Sequence, residues 1–274
     1  MYKRILFALD MEGVNNVVGE PYSGLYVGCD EWERARRQAA KEVNAAAEAL
    51  FMAGAERVAL WDNHAGGGNV DPTDLDSRVE LLEPDKTLPR MYFAGEFDAV
   101  CYFGYHAMEG TLGGVLAHTM NSKMVQHYKL DGRYIGEIDM DAYIAASHGV
   151  PSIFFAGGDI ACSQANRAVE GIVTVVTKKE LSRNKAIYRD NGELFEDIKA
   201  GIAEAISTDF SVNEIKLPAV FEKSFKRTED AAQYLEMMLA LGMESAYPCE
   251  DILGKDAHTV VSKIYSINDF ISCI

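Results

Sequence analysis

The sequence predicts an α/β fold, a mostly parallel central sheet flanked by helices, with a smaller C-terminal α+β subdomain. Three observations carry this expectation. Through the first two thirds of the chain, short apolar runs alternate with segments of helical period. A length of 274 residues with 48% hydrophobic content is enough to bury a sizeable core. After residues 173–176 the rhythm changes to longer helical patterns around one proline-marked strand. A boundary near residue 190 then separates a core of residues 1–190 from a subdomain of residues 191–274, although no Pro/Gly/Ser-rich linker marks it.

The elements follow in order. Residues 4–9 form a buried strand, residues 31–53 an amphipathic helix closed by Gly54, and residues 57–61 a second strand, together one βαβ unit. Residues 99–104 and 152–156 are apolar runs of strand length. Residues 125–130 and 133–135 flank Asp131-Gly132, a two-residue hairpin signal, and a helix follows over residues 137–147. Beyond these, helices are predicted over residues 193–206, 229–241 and 256–265, with a strand over residues 220–225 near Pro218. MYFAGEF and LEMMLALGM read as core packing.

Composition excludes several classes of function. Against 26 basic residues stand 42 acidic ones, and a net charge of −16 opposes binding to phosphate backbones, so no nucleic acid partner is expected. The apolar run at the N-terminus covers only residues 5–9 before Asp10, shorter than the roughly 7 to 15 residues of a signal-peptide core. No other run approaches the roughly 20 apolar residues of a membrane span. A cytoplasmic protein without a membrane partner is the expectation. Cys29, Cys101, Cys162, Cys249 and Cys273 are odd in number and contain no CxxC pair, which argues against both a disulfide framework and a thiolate zinc site.

Three predicted strands run into metal-ligand residue types at their C-terminal ends: ILFALDMEG, VALWDNH and CYFGYH. In an open α/β sheet, ligands bind at that edge. Asp10 and Glu12 are two residues apart and face one side of an extended segment, although solvated acids at a strand end would look the same. His64 precedes Ala65-Gly66-Gly67-Gly68, which lacks both GxGxxG and the Walker Lys-Ser/Thr ending; the alternative is a solvated loop histidine. His106 follows AVCYFGY, where a satisfied core histidine is the alternative. Imidazoles with carboxylates suit zinc, manganese or cobalt, and the ligand supply exceeds a closed tetrahedral site, so two ions fit better. With neither GxSxG nor HExxH present, the chemistry indicated is metal-assisted hydrolysis of another design. No organic cofactor is required.

The chain resembles the D-aminopeptidases of the M55 metallopeptidase family, the bacterial dipeptide-operon type. The resemblance rests on Asp10-Met11-Glu12-Gly13, Asp62-Asn63-His64, Gly104-Tyr105-His106-Ala107, Gly114-Val115-Leu116-Ala117-His118-Thr119-Met120, and Gly136-Glu137 followed by Asp141-Ala142-Tyr143. These occur in the family's order over residues 3–160. The resemblance implies two zinc ions per subunit, with Asp10 bridging and Glu12, His64, His106 and Glu137 as the other ligands. It implies a catalytic role for His118, as nucleophile or as proton shuttle. Taken alone, His118 reads as a loop histidine and Glu137 as a helix-start acid favoured by the dipole. The implied reaction is removal of N-terminal, D-configured amino acids from short peptides or amino acid amides, by a homo-oligomer of the decameric ring type. Two departures stand out. The stretch between His106 and His118 is slightly longer than the family spacing and has Leu112 where proline is usual, and the C-terminal part matches only loosely. A broader amidase or dipeptidase on the same site, and a non-catalytic peptide-binding protein, are the alternatives. A phosphohydrolase would need an Arg/Lys cluster near these motifs, which is not visible. His127, His148 and His258 read as surface residues, the last near a helix N-terminus.

Overall fold

The computed structural model describes residues 2–248 and 256–274. The chain opens with β1 (Arg4–Leu9), α1 (Asp30–Met52), β2 (Arg57–Asp62), β3 (Val79–Leu81) and β4 (Ala99–Tyr105). The hairpin β5 (Val125–Leu130) and β6 (Arg133–Ile135) leads into α2 (Glu137–Ser147), β7 (Ser152–Gly157), α3 (Asp159–Ala168) and β8 (Val173–Val176). A second hairpin, β9 (Lys178–Ser182) and β10 (Lys185–Tyr188), precedes α4 (Asn191–Ser207). The remaining elements are β11 (Ala219–Phe225), α5 (Thr228–Ala240), β12 (Ser245–Ala246), β13 (Thr259–Ile264) and α6 (Ile267–Cys273).

The central sheet has six parallel strands in the order β3-β2-β1-β4-β7-β8. Both faces are covered, which explains the unbroken apolar strands. On β1, Ile5, Phe7 and Leu9 pack with residues of α1 and α4, while Leu6 and Ala8 join the core under α2 and α3. Winding runs outward from β1 to β2 and β3, then restarts at β4 on its other side. The ends of β1 and β4 therefore form a topological switch point, where a crevice opens.

A second, antiparallel sheet has the order β12-β13-β11-β5-β6. It draws strands from both sides of residue 190, whereas α4, just beyond that residue, packs on α1, β7 and β8 of the first sheet. The hairpin signal at Asp131-Gly132 is realised: both residues have positive φ, 48° and 76°, and the turn joins β5 to β6. One expectation is overturned. Residues 259–264 form strand β13, not part of a helix over residues 256–265: Val260, Ser262 and Ile264 are buried while Lys263 is exposed, a period of two. The helix starts later, where the Ser266 hydroxyl accepts from Asp269 N and the Asp269 carboxylate accepts from Ser266 N. His258 thus lies at the entry to a strand, exposed, rather than near a helix N-terminus. Cys29, Cys101, Cys162 and Cys273 are buried free thiols, and Cys249 lies outside the described residues. No described helix is long and apolar enough to cross a membrane.

Where β1 and β4 end, their backbones cross almost in contact. A Cβ on Gly104, which has φ +68°, would stand 2.0 Å from the Asp10 carbonyl oxygen, and one on Gly13 would stand 2.0 Å from that of Tyr105. Gly104→Ala is expected to destabilise the protein by about 2–5 kcal/mol, about 1–3 from overpacking a buried site and about 1–2 from the left-handed backbone. Gly132→Ala, with similar φ but open space around it, isolates the backbone strain at about 1–2 kcal/mol. Urea unfolding of the two variants checks the difference.

Candidate functional site

The switch-point crevice gathers six side chains that the sequence singled out. Asp10 follows β1, His64 follows β2, and His106 follows β4. Glu137 is the first residue of α2, where the helix dipole favours an anion. Their approach is close. His64 Nδ1 lies 2.9 Å from Asp10 Oδ1 and 3.0 Å from Glu12 Oε2. His106 Nε2 lies 3.3 Å from Asp10 Oδ2 and 3.6 Å from Glu137 Oε1. His118 Nε2 is 4.0 Å from Glu137 Oε1, and its ring stacks on that of His106 with centroids 4.0 Å apart. The groups run in a line from His64, through Asp10 and Glu12, to His106, Glu137 and His118. All but the partly exposed His118 are buried.

Three buried carboxylates beside two buried imidazoles call for positive charge. Burial favours neutral imidazole, but Glu12 and Asp10 outweigh it and push His64 up to about 11. At His106, burial is likewise outweighed, chiefly by Asp10 and Glu137, and the imidazole is raised to about 10. Burial would raise the Asp10 carboxyl, yet the His106 and His64 imidazoles beside it hold it well below the usual range. Two sets of ligand atoms each lie within 4.8 Å of one another: those of Asp10, Glu12 and His106, and those of His106, His118 and Glu137. His106 is common to both.

The loops that carry these groups are tied down by Arg90 and Lys178, which the sequence reading did not single out. Arg90 donates two hydrogen bonds to the buried Asp141 carboxylate, at 2.6 and 2.8 Å, and one to Asn63 Oδ1 at 2.8 Å, next to His64. Tyr105 donates to Asp141 at 2.6 Å, so α2, β4 and the loop after β2 share one buried ion pair. Removing one partner from such a pair costs about 3–5 kcal/mol. Lys178, fully buried, donates to the carbonyls of Glu12, Val14 and Val17, pinning the turn after Asp10. Burial pushes its ammonium down to about 8, with Glu180 the foremost of the carboxylates that oppose this. The only sequence signal for Lys178 is a lysine just past an apolar strand, at the ligand-binding edge of the sheet.

The loop holding His118 is clamped by the β9–β10 hairpin. The Glu180 carboxylate accepts from Val115 N at 2.6 Å and from Ile160 N at 3.0 Å, the Arg183 carbonyl accepts from Leu116 N, and Arg183 Nη1 donates to the Ala117 carbonyl. Leu116, at φ +49°, is thereby held where its carbonyl accepts from His118 Nδ1 at 2.8 Å. His106 Nδ1 likewise donates to the Ala107 carbonyl at 3.0 Å. With Nδ1 engaged, each ring turns Nε2 toward the carboxylates, the arrangement in which a backbone acceptor fixes the tautomer.

The profile of the M55 peptidase family, described as D-aminopeptidase, matches residues 3–247. The D-aminopeptidase of Bacillus subtilis (strain 168) is 27% identical over 184 residues, 66% of this chain and 65% of that relative's length. In fold, the chain is similar to the solved structure of the Zn-dependent D-aminopeptidase DppA from Bacillus subtilis, a self-compartmentalizing protease. The TM-score is 0.82 at 22% identity, over 98% of this chain and 94% of that one. The family match covers the whole six-stranded sheet and every strand of the second sheet except β13, and the chain belongs to the M55 peptidase family.

Proposed function

We propose that this protein is a zinc-dependent aminopeptidase that releases N-terminal residues, D-configured by preference, from short peptides or amino acid amides. In this reading Asp10, Glu12, His64, His106 and Glu137 would hold two zinc ions. The observation that carries it is His106 Nε2: with Nδ1 donating to the Ala107 carbonyl, it turns a buried lone pair toward the Asp10 and Glu137 carboxylates with no hydrogen bond to satisfy it. A buried lone pair without a donor is costly, and a divalent cation satisfies imidazole and carboxylate together. When bound, the ions supply Lewis acidity toward the scissile carbonyl and the attacking water.

The chain's own residues do the rest. His118, held through Nδ1 by the Leu116 carbonyl, offers Nε2 to take a proton from the attacking water and pass it to the departing amine. The alternative role, His118 as nucleophile, uses the same tautomer. Arg90 and Asp141 keep Asn63 and His64 in register, and Glu180 holds the His118 loop over the cluster. The family membership and the likeness to a protein described as self-compartmentalizing support assembly into a homo-oligomer.

A panel of D- and L-aminoacyl amides and dipeptides, assayed on zinc-loaded protein before and after chelation, tests the proposal. Metal analysis should give two ions per chain, with turnover lost on chelation and restored by zinc. Chelation should also lower thermal stability, since a ligand at a hundred times its Kd contributes about 2.7 kcal/mol to the folded state. Full activity without metal would exclude the mechanism, and a strong preference for L-substrates would exclude the stereochemical assignment.

A further inference from the structure

The crevice with the metal-ligand cluster is small, about 310 Å³, and its lining includes Asp10, His64, His118, Glu137 and Arg183. Beside it lies a larger cavity of about 590 Å³. Asn63, Gly66 and Arg90 line both, so the two adjoin at the His64 end of the cluster. Trp61, Leu82, Leu88, Tyr92 and Phe93 give the larger cavity an apolar, aromatic wall, and Glu83, Asp85, Lys86 and Arg90 line it as well. Trp61 and Phe93 meet edge to face with centroids 5.7 Å apart, and Phe93 meets Tyr92 the same way at 5.3 Å. The Arg90 guanidinium lies over the Trp61 ring at 4.8 Å, which fixes the floor where the two spaces meet.

Leu88 is 47% exposed and Tyr92 37% exposed, so the protein leaves part of this wall uncovered. A volume of this size, with a largely apolar wall, a few charged groups and a reactive centre adjoining it, is that of a small-molecule subsite. Its position relative to His118 decides which part of a substrate it takes. The leaving amine must receive its proton, so it belongs at the His118 end. The residue that keeps the free amino group then lies toward His64, beside the larger cavity.

We infer that this cavity is the side-chain pocket for the N-terminal residue of the substrate, and that the enzyme acts on peptides and amides beginning with a large apolar or aromatic residue. The inference rests on the aminopeptidase reading. An apolar pocket separates side chains by about 10–200-fold per methylene. A pocket filled by phenylalanine and left mostly empty by alanine therefore produces at least a tenfold difference. The pocket has no bearing on D against L selection, which is set by how the α-carbon is held at the cluster.

The test is kcat/KM of zinc-loaded protein for alaninamide and phenylalaninamide of the same configuration, in the wild type, Leu88→Asp and Tyr92→Ala. Both altered residues are partly exposed, so the fold has a fair measure of tolerance at each. The wild type should favour phenylalaninamide at least tenfold, and each variant should bring the ratio to within about threefold of unity. Trp32→Phe leaves Trp61 as the single indole, and its emission should shift on adding phenylalanine, with no turnover involved. A wild-type ratio at or below one, a ratio that neither variant moves, or an unresponsive Trp61 overturns the pocket. Failure to hydrolyse any amide or peptide strikes the aminopeptidase reading instead, which keeps the two failures distinct.

Discussion

Asp10→Asn should lower kcat/KM by at least about a thousandfold, equivalent to about 4 kcal/mol of lost transition-state stabilisation. Among the described residues, Asp10 is the one within hydrogen-bonding or ion-pairing distance of both His64 and His106, through Oδ1 and Oδ2 respectively. Exchanging its carboxylate for an amide keeps the shape, removes a full negative charge, and replaces one acceptor oxygen by a donor group. Bound zinc should fall from two ions per chain to one or fewer, measured by elemental analysis after gel filtration. Circular dichroism should remain that of the wild type, because the core residues of β1 are untouched. A variant retaining both ions, with kcat/KM within tenfold of the wild type, would refute the central place given to Asp10.

His118→Ala should behave differently. The loss should fall on kcat, by about 10²–10⁴-fold, the usual contribution of a positioned acid–base group, with KM and zinc content little changed. The proposed ligand set does not include His118, whose ring is stacked on His106 and hydrogen-bonded to its own loop. The pH dependence of kcat should lose the limb that reports an essential base. Equal loss of zinc and turnover would instead make His118 a ligand, a reading its presence in one of the two close-set groups allows.

The contrast between the two residues also marks what a sequence can disclose. Asp10, His64 and His106 are legible because each lies within two residues of the end of an apolar strand, and parallel strands bring their C-terminal ends to one edge. Glu137 and His118 carry no such local signature, and only the family's motif order singles them out. Arg90, Lys178, Glu180 and Arg183 escaped notice because their partners are remote: Arg90 meets Asp141 across 51 residues, and Lys178 meets Glu12 across 166. No local period encodes such a meeting. The strand at residues 259–264 was misread for a local reason, since Val260 and Ile264 are four apart and suit a helix face as well as alternate strand positions. The three-residue strand β3 and the charged hairpin β9–β10 are too short or too polar to announce themselves, and helix α3 is rich in small residues.

The interleaved second sheet bears on how a nascent chain matures. Lys129 of β5 faces Glu222 of β11 across the ladder, so the β5–β6 ribbon, complete at Ile135, has no neighbour until the chain reaches Ala219. Until then Tyr128 and Leu130, buried in the finished protein, have no apolar cover from β11, and one backbone edge of β5 stays open. Long-range strand pairing of this kind is slow and exposes such edges to other chains. During synthesis the risk of misassociation therefore falls between emergence of the Asp131-Gly132 turn and arrival of β11, and a chaperone that shields this ribbon would act in that interval.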